Sequence, residues 1–153
     1  MKAITLRHPW PWAIAVLGKR IENRTWKPSS LGQGDMIAIH GGAMPDKGGL
    51  YSVGRIAREL IARPGNREII ERVYGDRCEL RDSIIQGIVG VATIDRFVTE
   101  SDDPWFQGPI GWVFSDFTAF PEPIPCKGAQ GLWDVPDNVV NAMRSAYKQA
   151  KSS

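Results

Sequence analysis

The chain's hydrophobic and polar positions change period several times, and each change marks an element. "KAITLR" (2–7) alternates and predicts a short strand. "PWPWAIAVLG" (9–18) has proline early and glycine at its end, the order of a short helix. "RIENRTW" (20–26) alternates again, with Ile21, Asn23 and Thr25 on one side and Glu22, Arg24 and Trp26 on the other. After the turn cluster "KPSSLGQG", "DMIAIHG" (35–41) predicts a strand running into the glycine-rich loop "HGGAMPDKGG". The middle is helical. "GLYSVGRIARELIARPG" (49–65) sets Val53, Ile56, Leu60 and Ile61 on one stripe and stops at Pro64-Gly65. "NREIIERVYGD" (66–76) predicts a second helix capped by Asn66 and stopped by Gly75. Glu59 with Arg63, and Glu68 with Arg72, are acid-first pairs four residues apart, as on a solvated helix face. Strands return in "GIVGVATIDRFV" (87–98) and "GWVFSDFTAF" (111–120), the latter bracketed by the turns "DDPWFQGPIG" and "PEPIPCKGAQG". "VPDNVVNAMRSAYKQAKSS" predicts a final helix with a frayed polar tail. There is no internal repeat, linker or regular strand–helix–strand alternation. The pattern predicts an α+β fold, a small β-barrel with helices around it.

Composition adds bounds. At 153 residues the chain predicts one domain. A chain of this size buries roughly 70% of its unfolded surface, so it folds without disulfide or metal. The two cysteines, Cys78 and Cys126, lie far apart and share no ligand spacing, which predicts free thiols in a reducing, intracellular setting. The N-terminal stretch has no apolar core of a signal peptide, and no run approaches the ~20 apolar residues of a membrane span, so a cytoplasmic protein is expected. Net charge is only +2, but its distribution is uneven. Residues 1–27 carry six cations against Glu22, and residues 95–125 carry six carboxylates against Arg96. Either one face meets an anionic partner, or the two segments neutralise each other in the fold. Six tryptophans is a high number for this length; flat rings of this kind serve surfaces and clefts.

Few motifs carry chemistry. The glycine loop lacks GxxxxGK[ST], and "GIVG" lies inside an apolar strand, so neither is a phosphate or dinucleotide fingerprint and no cofactor is expected. His8 and His40 are the only histidines, and no third ligand at a known spacing points to a metal site. His40 suits a polar contact or base stacking, and either histidine is a candidate acid or base. The strongest cluster is Lys19-x-x-Glu22-x-Arg24. One reading is a Lys19–Glu22 ion pair at a barrel entrance. The other is a working cleft in which Lys19 and Arg24 hold a phosphate and Glu22 acts as acid, base or acceptor for a base amino group.

"LRHPWPWAIAVLGKRIENRTW" resembles the opening of ASCH (activating signal cointegrator homology) domains: a strand, a "QPWA"-like turn, a helix, and a G-x-K-x-x-E-x-R-x-W signature whose charged and aromatic positions fall on Lys19, Glu22, Arg24 and Trp26. "IAIHGG", "GIVGVATIDRF" and "WVFSDFTAFPEPIPCKGAQGLWDVP" resemble later family segments, so the likeness spans almost all of residues 1–153 apart from a helical insertion at about 50–80. The resemblance implies a PUA-like barrel that binds RNA or other single-stranded nucleic acid. Arg7, Lys19, Arg24 and Lys127 would contact phosphates, Trp10 or Trp26 would stack on a base, and Glu22 and Asp95 would read base donors or hold the cations. It also implies an alternative, because hydrolytic relatives use the same cleft. That alternative is a nucleoside amidohydrolase of the N4-acylcytidine type or a ribonuclease, with Lys19 and Glu22 at the reacting centre. Glu22 stands where the amidohydrolase branch has threonine; Thr25 and Ser115 are further nucleophile candidates. A protein-interaction module is the third reading.

Overall fold

Six strands form one mixed sheet in the computed structural model, which describes residues 1–152. They are β1 (Lys2–Leu6), β2 (Ile21–Arg24), β3 (Met36–Gly41), β4 (Gly87–Val98), β5 (Ile110–Ile124) and β6 (Trp133–Asp134). Their order is β2-β5-β4-β3-β1-β6, with only β1 and β3 parallel. The sheet curls into a half-barrel. Its long central pair, β4 and β5, slips register at three points, and such bulges bend and twist a strand. Gly90 sits at this bend; a Cβ there would lie 2.2 Å from the Thr118 carbonyl oxygen. The curl is deep enough for the Arg24 side chain, on edge strand β2, to reach the Thr5 carbonyl on β1, four strands away in the order.

The period-two pattern of β1 places successive residues on opposite sides. Ile4 and Leu6 enter the concave core with Ile37, Ile39, Ile94, Trp112 and Phe114. Helix α1 (Trp10–Val16) covers that core with Ile14. Ala3 faces the other side, where Ala38, Val91, Phe120 and Trp133 meet Val139 and Met143 of α4 (Asp137–Ser152). The middle helices α2 (Lys47–Ala62) and α3 (Asn66–Tyr74) form a third layer in which Leu60 and Ile70 pack on Trp12, Ala13 and Leu17. A single 3-10 turn, Leu80–Ser83, leads back to β4. The expected α+β class and the helical middle are observed, and no described helix is long and apolar enough to cross a membrane.

Three expectations need correction. Asn66 does not cap α3: it is buried as the first helical residue, and its amide donates 2.8 Å to Leu60 O, closing the end of α2 instead. Glu59 pairs with Arg55 (3.6 Å), while the Arg63 guanidinium lies over the Trp105 ring (5.1 Å). β5 continues through Pro121 and Pro123 to Ile124 where a turn was expected. Proline is tolerated there because β2 pairs only as far as Val113 and the ladder to β4 is bulged between Ala119 and Ile124. Trp133–Asp134 adds a short strand beside β1. The tail's last residue, Ser153, lies outside the described residues.

Candidate functional site

Gly18, at φ +76°, ends α1 in the left-handed conformation that glycine favours. The chain reverses there, and Lys19 turns inward rather than to solvent; only 2% of it is exposed. Its ammonium donates to Ile21 O at 2.5 Å, lies 3.3 Å from Glu22 Oε1, and sits 5.2 Å from the centre of the Trp10 ring. Burial pushes the Lys19 pKa below the ordinary lysine value, against the opposing pull of the Glu22 charge and hydrogen bond. The expected Lys19–Glu22 pair therefore exists, as a buried contact.

Glu22 is opposite Trp112 in the β2–β5 ladder, and Trp112 opposite Phe97 in β4, so all three lie on the concave face. Arg24, two residues on, shares that face, as the alternation predicts. Its Nε donates to Glu22 Oε2 at 3.1 Å and its Nη2 to Thr5 O at 2.9 Å. One carboxylate is thus shared by two cations, each oxygen serving one. The Arg24–Thr5 bond links β2 and β1, which share no backbone ladder.

Thr5 carries the network onward. Trp133 Nε1 donates to Thr5 Oγ1 at 3.1 Å, and Thr5 Oγ1 lies 3.1 Å from His40 Nδ1. His40 Nε2 is 2.6 Å from Cys126 O. A carbonyl only accepts, so Nε2 carries the hydrogen, Nδ1 accepts, and Thr5 supplies the hydroxyl proton. Every group in this set is satisfied with a neutral imidazole, and burial holds the His40 pKa below its ordinary value. Gly128 seals the arrangement: a Cβ there would stand 2.4 Å from Thr5 Oγ1 and 2.6 Å from His40 Cε1. The result is one polar chain that crosses β1: Lys19, Glu22 and Arg24 reach the Thr5 carbonyl from the concave face, and the Thr5 hydroxyl continues through His40 to Cys126 O on the side where Trp133 packs.

The remaining candidates fall around this chain or apart from it. Arg7 and Lys127 are exposed, two residues from Thr5 and one from Cys126 respectively. Trp10 is half-buried over Lys19. Trp26 is half-buried edge-on to Trp112 (5.1 Å), whose Nε1 donates 2.9 Å to Trp26 O. Asp95 is half-buried on β4 and pairs with its neighbour Arg96, with no bond to the polar chain. Thr25 and Ser115 are exposed. His8 is buried; its Nε2 donates 2.9 Å to Gly42 O, and Nδ1 has no partner.

Sequence reasoning passed over Asn23. It points away from Glu22, and its amide staples the loop before β5: Nδ2 donates to Trp105 O (3.0 Å), and Oδ1 accepts from Gln107 N (2.8 Å) and Gly108 N (3.0 Å). That loop brings Asp103, whose charge acts on Lys19 and whose Oδ1 accepts from Trp105 N. Thr5 and Trp133 were missed too. The only signal for Asn23 was its place in the alternation; for Thr5 there was none, because its partners are 35 and 128 positions away.

Chemically, the cluster offers a shielded carboxylate between two cations, backed by a preformed hydrogen-bond chain. Arg24 commits Nε and Nη2 to the protein, which leaves Nη1 without a bond among the described residues. No protein-family model matches the chain, and no curated protein matches it either.

Proposed function

We propose that the chain is an ASCH-type, PUA-like module, cytoplasmic in setting, that binds single-stranded RNA at the seam between β1 and β2. The observation that carries this reading is the polar chain itself. It ties Lys19, Glu22, Arg24 and His40 into one rigid unit and leaves Arg7 and Lys127 exposed beside it. Fixed donors flanked by free cations suit phosphate positioning, and the half-buried indoles of Trp10 and Trp26 offer faces for a base. The buried Lys19 works through Glu22 and Arg24 rather than on a phosphate directly, since its ammonium is enclosed.

The test is anisotropy of a labelled single-stranded RNA titrated with the protein across a salt series. Binding is expected to weaken steeply with salt, and Arg7→Gln or Lys127→Gln each to flatten the log–log slope by about 0.7. Salt-independent binding, or an Arg7→Gln/Arg24→Gln/Lys127→Gln variant that binds like the parent, would refute the reading.

One observation favours hydrolysis as the second reading. A lysine whose pKa is depressed by burial, 3.3 Å from a carboxylate, is the environment of a general base. On that reading Glu22 takes the substrate proton and passes it to the enclosed Lys19, 3.3 Å away. Turnover of N4-acetylcytidine or single-stranded RNA that disappears in Lys19→Met, with the fold retained by circular dichroism, is the expected outcome. Equal turnover in Lys19→Met would remove Lys19 from the chemistry.

A further inference from the structure

A second site lies on the opposite side of the sheet. Where α4 crosses the convex face it leaves a groove of about 460 Å³, within the usual range for small-ligand sites. Its floor includes Phe120 and Met143, both buried, and Met1 and Met36 flank it. Unbranched, polarizable methionines adapt to ligands of differing outline. The rim holds Arg144 and Lys148, exposed and one helical turn apart on α4, and among the described residues no carboxylate lines the groove.

The charges at this rim are unbalanced. Like charges four residues apart work against a helix. Among the described residues neither cation pairs with an acid: Arg144 Nη1 makes only a long 3.5 Å bond to the neutral Asn141 Oδ1, and Asp116 is engaged by Lys151 at 3.9 Å. The helix dipole accounts for Lys151 in the last turn, not for Arg144 in the middle of the helix. An apolar cleft ending in two free cations is complementary to a molecule with an apolar body and one anionic end.

We propose that this groove binds a small amphiphilic carboxylate, with its alkyl or single-ring body against Phe120 and the methionines and its carboxylate between Arg144 and Lys148. Apart from the two cations, the Tyr147 hydroxyl is the one polar side-chain group in the lining, too few donors and acceptors to read base edges, which separates this ligand class from the nucleic acid assigned to the β1–β2 seam. The site stands whether or not that assignment holds.

The chain has four methionines; three line this groove and Met44 lines a separate cleft with Arg58 and Arg81, so its methyl reports whether binding is selective for this groove. The full chain, labelled with methyl-¹³C methionine and assigned through single Met→Leu variants, is titrated with sodium decanoate below its micelle concentration. Saturable shifts of the Met1, Met36 and Met143 methyls with one shared Kd, and a stationary Met44, are expected. The Arg144→Gln/Lys148→Gln variant, altered only at exposed positions, is expected to bind at least tenfold more weakly. Uncharged decanol is expected to bind the parent protein at least tenfold more weakly than decanoate does. Arg7→Gln/Lys127→Gln is expected to bind decanoate like the parent. The proposal is overturned by the absence of saturable shifts at millimolar decanoate, by Met44 moving with the others, by unchanged affinity in the Arg144/Lys148 variant, or by decanol binding equally well. It is also overturned if single-stranded RNA shifts these methyls while decanoate does not.

Discussion

Glu22→Gln is the most informative single change. It keeps the size of the side chain and one acceptor oxygen, so it removes little but the charge. What remains is the Lys19 ammonium, 2% exposed, without its only close carboxylate, and Arg24 Nε without its own. Removing one partner of a buried pair costs about 3–5 kcal/mol, and the retained acceptor places this variant at about 3. For a domain of this size that corresponds to a loss of roughly 6–12 °C in Tm. The sign of the pH dependence follows from the Lys19 pKa, which burial already holds below 10.5 in the native state. Without Glu22 it falls further. Between the native pKa and 10.5 the unfolded chain holds more protons than the folded one, so stability rises with pH across that window. The gap between Glu22→Gln and the parent is therefore expected to shrink between pH 7 and pH 10, measured by urea denaturation at each pH. In a Lys19→Met background the same substitution is expected to cost only about 1 kcal/mol, because the stranded charge is gone. A Glu22→Gln penalty near zero at pH 7, or one that does not change with pH, would refute the buried pair.

Three further outcomes follow from the same contacts. Asn23→Ala removes three hydrogen bonds to the loop before β5, and at about 0.5–1.5 kcal/mol each the loss is expected near 2–3 kcal/mol, with amide exchange at Gln107 and Gly108 accelerated first. His40 has a native pKa depressed below 6.5, so the stability it contributes is complete above 6.5 and is lost as pH falls from there through the native pKa; His40→Gln is expected to abolish that acid-side loss in denaturant titrations. Gly128→Ala drives a methyl into Thr5 and His40, and is expected to destabilise by about 1–3 kcal/mol and to shift the His40 imidazole signals in NMR.

Local patterns carried most of the fold. The alternation in residues 2–7 and the apolar runs over 36–41 and 87–98 placed β1, β3 and β4 closely, because these strands lie between two cores and are packed on both faces. Helix ends were legible where glycine supplies a positive φ, as at Gly18 and Gly75, and misleading at Asn66, whose amide found a better acceptor in the neighbouring helix. The face shared by Glu22 and Arg24 was also legible, since it needs only the period of a strand. Their burial was not. That depends on the sheet curling until β2 meets β1, and on Thr5, whose carbonyl has no sequence signature. The strand through Pro121 and Pro123 was hidden for a similar reason: tolerance of proline depends on where the neighbouring strand β2 stops.

The Lys19–Glu22–Arg24 triad, with its lysine and glutamate buried, also bears on why the half-barrel keeps charges at its seam. β2 and β1 share no ladder, and the Arg24 guanidinium makes the connection that backbone pairs would make in a closed barrel. Stability alone is a weak reason for such an arrangement. A buried ion pair repays its desolvation poorly, and apolar residues of the same volume often hold a fold equally well. A Lys19→Met/Glu22→Leu/Arg24→Met variant is therefore expected to unfold within about 2 kcal/mol of the parent. If it does so while losing RNA binding and keeping decanoate binding, the charges serve the ligand at the seam and not the fold. If it collapses by more than about 5 kcal/mol, the triad's function is to close the sheet, and the nucleic-acid reading loses the observation that carries it.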